Sequence, residues 1–271
     1  MSQVNRELHI PEPPASMKRA RFLGTAAAIG SVVLLIIVFL TMNLPSWERV
    51  LTGLERTLPP LWRGFSNPDV GTFPLAFNSM LETFYMAVLG TILGGVLAFG
   101  LSFLAARNLL GGTVQAMPGK ALLVAIRTFP EILLAIIFVA AVGPGATAGI
   151  MAMGIHSIGF LGKIFSDVIE GIDPGPMEAI KASGGNQLHV FFYAVVPQVL
   201  PEFASYLLYR FEINLRAATI LGLVGAGGIG GPLIQRLQFR RWDEISMMLI
   251  VIIAFIIIVD AISSRIRRNL V

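Results

Sequence analysis

Glu178-Ala179-Ile180-Lys181-Ala182-Ser183-Gly184 is a short polar stretch between two segments that are apolar enough to lie in lipid. It follows Pro174-Gly175-Pro176, and proline is favoured in the first turn of a helix. Gly184-Gly185 then interrupt the helical pattern. We therefore predict a short water-exposed helix within about residues 174–190 that another protein can bind. An ordinary polar loop between two membrane helices is the alternative.

The composition predicts a membrane protein. Of 271 residues, 55% are hydrophobic and only 13% are charged, which is too little polar surface to cover a soluble globule. The net charge of +4 comes from basic residues at the chain ends and in short loops, so it indicates membrane topology and no nucleic-acid partner. The chain has no cysteine and three isolated histidines, so neither a disulfide nor a metal site is predicted.

Hydrophobic segments indicate an all-α, polytopic bundle of about six transmembrane helices. They cover approximately residues 22–44, 77–106, 121–142, 147–165, 190–213 and 245–262. An even number of spans places both termini on one side, and because both are basic we expect that side to be the cytoplasm. The short polar helix then faces the cytoplasm too. Gly90-x-x-x-Gly94 is interpreted as a close helix contact within one subunit.

Two regions are expected. Residues 1–75 hold a polar tail, the first transmembrane helix and an outer loop that can carry a surface helix. Residues 76–271 hold the main bundle with the short polar helix.

Charged residues inside membrane spans need a partner or a watery cavity, because an unpaired charge in lipid is costly. Five lie in or beside the predicted spans: Arg127, Glu131, Arg210, Glu212 and Arg216. Glu212 and Arg216 are spaced i, i+4 and are expected to pair. Arg127 either pairs with Glu131 one turn later or faces an anionic solute, and Arg210 has no obvious local partner. His156 is interpreted as a hydrogen-bonding residue between helices.

Gly225-Ala226-Gly227-Gly228-Ile229-Gly230 matches the G-x-G-x-x-G dinucleotide fingerprint. That fingerprint requires a preceding strand and a following βα unit, whereas a further membrane span follows here. We interpret the segment as a broken helix whose unwound backbone lines a cavity or is buried in protein. A flexible helix end is the alternative. No nucleotide site is predicted on this chain.

The short polar stretch also resembles the cytoplasmic coupling motif of ABC importer permeases. That motif reads Glu-Ala-Ala, three residues, Gly, nine residues, Ile-x-Leu-Pro. Glu178, Ala179, Gly184 and Pro197 occupy its positions. Further stretches make the chain similar to the permeases of phosphonate ABC importers over roughly residues 75–265: 127–131, 135–143, 156–163 and 217–230.

The resemblance implies a type I ABC importer permease fold in a bacterial inner membrane. It implies a homodimer of permeases, two cytoplasmic ATPase subunits that bind ATP and Mg, and a periplasmic or lipid-anchored binding protein. The solute would be phosphonate or a related phosphate or phosphite anion. This chain would hold no catalytic residue and no cofactor.

Three sets of site residues are expected. The ATPase-coupling set is Glu178, Ala179, Lys181, Gly184 and Asn186. The translocation pathway is expected to include Arg127, Glu131, Arg210, Gly225, Gly227, Gly228 and Gly230. The surface for the binding protein is expected to include Trp62, Arg63, Arg240, Arg241 and Trp242, since arginine and aromatic side chains are common interface anchors.

Other functions remain open at this point. A permease for methionine or glycine betaine would share the coupling motif. A secondary transporter would be expected to show repeated broken helices with coupling acids, and only one glycine-broken segment is found. An intramembrane enzyme would need a converging set of catalytic side chains, which the sequence does not show.

Overall fold

The computed structural model describes residues 15–41, 46–110 and 112–268, and this part of the chain is helical with no strand. It contains two compact units, one up to Leu58 and one from Pro59 onward. Helices long and apolar enough to cross a membrane number five, or six when one bent pair is counted as a span. The predicted all-α membrane bundle is therefore confirmed.

The first unit contains α1 (Ala15–Thr41) and the beginning of α2 (Trp47–Ser66). Residues Leu23–Thr41 have a mean hydropathy of 2.6 and expose their apolar side chains, as expected of a membrane span. The predicted end of this span, at residues 42–44, lies outside the described residues. The predicted outer loop contains the helix α2, which is amphipathic; its place on the membrane surface stays a prediction.

Four long helices form the framework of the second unit. They are α3 (Phe73–Ala105), α7 (Ala146–Glu170), α10 (Val196–Leu221) and α12 (Trp242–Arg267). Shorter helices connect them: α4 (Arg107–Leu110), α5 (Thr113–Thr128), α6 (Glu131–Val142), α8 (Gly175–Ala182), α9 (Gln187–Val190) and α11 (Gly230–Gln238). A π-helical turn over Phe191–Val195 joins α9 to α10.

Helices α3 and α7 approach closely because glycines line their contact. A Cβ atom on Gly94 would lie 2.4 Å from the Ser157 Cβ and 2.7 Å from the Gly154 carbonyl oxygen. A Cβ atom on Gly90 would lie 2.9 Å from the Met153 Cβ. The Gly-x-x-x-Gly pair therefore packs within one subunit, as predicted.

The span predicted over 121–142 is wrong as a single helix. Helices α5 and α6 meet at a bend of 79° around Phe129 and Pro130. Proline has no backbone N–H and pushes the residue before it into extended geometry, and Phe129 has φ −72° and ψ 124°. Both helices pack against α7. Arg127, which falls inside the span predicted over 121–142, instead lies next to this break.

Candidate functional site

Helix α8 is fixed to the bundle by one face. Met177 is buried, and Ile180 packs against the same apolar cluster, in which Phe165 and Phe203 stack with ring centroids 3.9 Å apart. The side chains of the predicted coupling residues Glu178, Ala179 and Lys181 are exposed on the outer side. The helix begins at Gly175, inside the Pro174-Gly175-Pro176 run after which it was predicted to begin. The anchored inner face leaves the outer face available to a partner.

The turn after α8 depends on two glycines in different ways. Gly184 has φ +81°, a left-handed conformation that glycine adopts at little cost. A Cβ atom there would meet nothing within 4 Å, so the backbone angle and not the space around it is the constraint. At Gly185 a Cβ atom would lie 2.8 Å from the Ile180 carbonyl oxygen, so that position is limited by space.

Asn186 caps the following helix. Its side-chain oxygen accepts from the His189 N–H at 3.0 Å, and its own N–H donates to His189 Nδ1 at 3.2 Å. This reciprocal capping box fixes the start of α9. A depression of about 470 Å³ lies beside the turn. Its lining is Ala179, Ile180, Ser183, Gly184, Gly185, His189 and Tyr193.

A buried polar cluster occupies the middle of the bundle and is centred on Arg210, which is only 2% exposed. Arg210 Nε donates to Ser157 Oγ at 2.9 Å. Its Nη2 donates to Glu131 Oε2 at 3.3 Å and lies 2.8 Å from His156 Nδ1. The sequence suggested no partner for Arg210, but its partners lie on α6 and α7, which are distant in sequence.

Asn214 extends this cluster to α3. Its Nδ2 donates to Thr91 Oγ1 at 2.8 Å and to Ser157 Oγ at 3.0 Å. All three side chains are buried. The sequence analysis did not identify these three residues. Asn214 could have been identified, because it is a polar residue four positions after Arg210 on a membrane helix. Asn214 Oδ1 and Glu131 Oε1 are buried without a hydrogen-bond partner among the described residues.

Arg127 stands apart from these bonds. Its side chain is exposed, and within the described residues the structure gives its guanidinium no hydrogen bond and no ion pair. The Arg127–Glu131 pair considered from sequence is not formed, since Glu131 binds Arg210. The Arg127 backbone packs on α7, where a Cβ atom on Gly159 would lie 2.7 Å from the Arg127 nitrogen.

The predicted Glu212–Arg216 pair is also wrong. Glu212 accepts from Arg267 Nη2 at 3.0 Å, and Arg216 pairs with Asp260. Both partners lie on α12, so these charges join two helices.

The glycine-rich segment is a break between α10 and α11, which confirms the broken helix. Gly225, Gly227 and Gly228 have φ of +87°, +86° and +72°. The Gly225 carbonyl accepts from the Gly145 N–H at 2.9 Å, and the Ile229 N–H donates to Thr83 Oγ1 at 2.9 Å. A helix precedes the segment, so the dinucleotide interpretation fails.

Packing also explains Gly230, which is buried. A Cβ atom there would lie 2.4 Å from the Thr219 carbonyl oxygen. The glycine-rich break is therefore held tightly between α3, the α6–α7 turn and the end of α10.

The two segments expected to receive a binding protein meet at one end of the second unit. A Cβ atom on Gly64 would lie 2.5 Å from the Trp242 carbonyl oxygen, and the Asp69 N–H donates to the Asp243 carbonyl at 3.3 Å. The exposed side chains here are Trp62, Arg63, Arg240 and Arg241, whereas Trp242 is half-buried. Glu244 accepts from Arg241 at 2.7 Å and raises the pKa of that guanidinium, so Arg241 stays charged.

No cluster of three or more potential metal ligands occurs among residues 15–41, 46–110 and 112–268.

Comparison with known proteins finds relatives that are all described as membrane components of transport systems. The family described as "Binding-protein-dependent transport system inner membrane component" matches residues 98–271. A phosphite transport system permease protein of Stutzerimonas stutzeri is 38% identical over 249 residues, which cover 92% of this chain and 90% of that protein. A phosphate-import permease protein of Mycolicibacterium smegmatis is 37% identical over 95% of this chain and 48% of its own length.

Among solved structures, an inward-facing methionine ABC transporter superposes with a TM-score of 0.62. The alignment covers 72% of this chain and 95% of that chain at 19% identity. This likeness shows a common fold, that of type I ABC importer permeases.

Proposed function

This chain belongs to the family of binding-protein-dependent transport system inner membrane components and is the permease of an ABC importer, and we propose that it moves phosphorus oxyanions: phosphonate, phosphite or phosphate. The observation that carries the solute assignment is the Arg127 guanidinium at the break of a membrane segment, which is exposed and has no ion pair within the described part of the chain. A cation is costly there unless a watery cavity or an anion meets it. One relative that covers 92% of the chain carries phosphite in its printed description and another that covers 95% carries phosphate, which supports the same solute class.

Members of this family work with an ATPase and a solute-binding protein. We propose that two copies of this chain assemble with two separate ATPase subunits, which bind the ATP and Mg. The exposed face of α8, with Glu178, Ala179 and Lys181, supplies the contact. Met177 packs the inner face of α8 into the bundle. A displacement of α8 by the ATPase is therefore transmitted to α7 and α10.

Both termini and α8 then lie in the cytoplasm. The opposite end of the second unit, with Trp62, Arg63, Arg240 and Arg241, receives the periplasmic or lipid-anchored binding protein. Exposed arginines and an exposed tryptophan are suitable anchors for such an interface.

The translocation pathway passes the break between α5 and α6. Arg127 attracts the anion, whereas the Arg210 charge is compensated by Glu131. The Gly225–Gly230 segment forms the pathway boundary next to the α6–α7 turn, where Gly227 and Gly225 are half-buried.

The complete complex in proteoliposomes tests this function. Uptake of phosphite, inorganic phosphate and methylphosphonate is measured against methionine and glycine betaine, each with the cognate binding protein and ATP inside. Uptake of at least one phosphorus oxyanion, stimulated by the binding protein, is expected. Uptake confined to methionine or glycine betaine would replace the proposed solute with another.

A further inference from the structure

His156 holds a fixed tautomer. Its Nδ1 lies 2.8 Å from Arg210 Nη2, and a guanidinium nitrogen can only donate. Nδ1 must therefore accept, which leaves the ring proton on Nε2 and the ring neutral. Within the described residues no protein group accepts from Nε2, and the side chain is 18% exposed. His156 thus has one N–H donor, at Nε2. The contact of Nδ1 with buried Arg210 fixes its orientation, and no protein group among the described residues accepts from it.

His156 lies near the place where Arg127 packs on α7. His156 precedes Gly159 by one turn on the same face of α7, and the Arg127 backbone packs against Gly159. Helices α5 and α7 run antiparallel here, because Gly162 packs on Leu123 whereas Gly159 packs on Arg127. His156 therefore lies toward Glu131, whose Oε2 is 3.4 Å from its Nδ1.

Arg127, Glu131, His156 and Arg210 form one group of neighbouring polar residues, and its charges are only partly compensated. Arg210 and Glu131 form a compensated pair, and His156 is neutral. The Arg127 guanidinium is left as the uncompensated charge of the group. One cation and one neutral donor attract an oxyanion while keeping the interaction weak enough for release, which transport requires.

We propose that Arg127 and His156 together form an oxyanion contact site in the pathway, Arg127 supplying the charge and His156 Nε2–H a directional hydrogen bond to a P–O oxygen. This site rests on the proposed function and names its ligand class, a phosphorus oxyanion. Arg210 is a positioning residue, because its Nη2 lies 2.8 Å from His156 Nδ1, and Glu131 and Ser157 hold Arg210 in place.

Two amide variants separate this role from a structural one. His156→Asn places its amide oxygen where Nδ1 lies, so it keeps the acceptor for Arg210 and loses the outward donor. His156→Gln places its amide nitrogen where Nε2 lies, so it keeps the outward donor. Both are tested in the complete complex with its ATPase and binding protein, with inorganic phosphate and phosphite as probes.

The expected result is that His156→Asn lowers uptake about five- to tenfold, the value of one lost hydrogen bond, while His156→Gln stays within about twofold of wild type. Assembly of the complex should be retained in both. Equal uptake by the two variants, or a loss confined to His156→Gln, would overturn the site and leave His156 as a support for Arg210.

The same assay separates failure of the site from failure of the proposed function. If the wild-type complex takes up neither phosphate, phosphite nor methylphosphonate, the proposed solute and this site both fall. If wild type takes up an oxyanion and His156→Asn does so equally well, the solute assignment is supported and only the proposed site is wrong.

Discussion

Arg210 and Glu131 meet at 3.3 Å although 79 positions separate them in the chain. Arg210 lies in the middle of α10, and Glu131 is the first residue of the helix that follows the break. The pair therefore fixes the short helix α6 against the main bundle. Because Glu131 pairs with Arg210, it does not pair with Arg127.

Replacing Glu131 by Gln should destabilise the permease. Arg210 is 2% exposed and would keep an uncompensated buried charge, which costs about 3–5 kcal/mol. A lower thermal midpoint of the purified complex is the expected result. Adding Arg210→Gln should restore part of the stability, whereas adding Arg127→Gln should not. Rescue by the Arg127 change alone would contradict the observed pairing.

Replacing Arg127 by Gln should spare folding and impair transport. The side chain is exposed and makes no ion pair among the described residues, so its loss leaves no partner unpaired. Losing one charge-assisted contact should lower phosphate or phosphite uptake about tenfold or more. Arg127→Lys, which keeps the charge, is the matched control and should retain more uptake than Gln. An unchanged uptake rate for Arg127→Gln would remove this residue from the pathway.

The effect of a substitution at Gly184 should depend on whether the new residue tolerates a positive φ. Valine at φ +81° is strained by about 1–3 kcal/mol, whereas asparagine tolerates that region. Since space around the position is open, size alone should matter little. Gly184→Val is expected to reduce ATPase binding or ATP-driven uptake, and Gly184→Asn to retain most of both. Pull-down of the ATPase by each inserted permease measures the effect, and equal binding by both would contradict it.

Substitution at Gly94 should disrupt the contact of α3 with α7. An added Cβ would lie 2.4 Å from the Ser157 Cβ, and such overpacking typically costs about 1–3 kcal/mol. Gly100 lies on the same helix with nothing within 4 Å of its Cβ position, so Gly100→Ala is the matched control. We expect Gly94→Ala to lower the thermal midpoint and Gly100→Ala to leave it unchanged or slightly raised. The reverse order would contradict the packing.

The local features were the most predictable from sequence. Pro174 to Pro176 and Gly184 predict the limits of α8, because proline and glycine act on their own backbone. The glycine break after Leu221 follows for the same reason. The bend at Pro130 carried the same kind of signal, but the apolar run across it was interpreted as one span.

Sequence alone determined that this chain is a helical membrane protein, where most of its spans lie, and where the short exposed helix α8 is, since hydropathy, proline and glycine are local properties. Tertiary structure decided the charge partners. Glu212 pairs with Arg267, Arg216 with Asp260 and Arg210 with Glu131, each across different helices. An ion pair depends on distance in space, and an i, i+4 spacing offers only one of several available partners. The lack of an ion pair for Arg127 among the described residues and the contact of His156 Nδ1 with Arg210 follow from that choice of partners, so they became visible only in the folded chain.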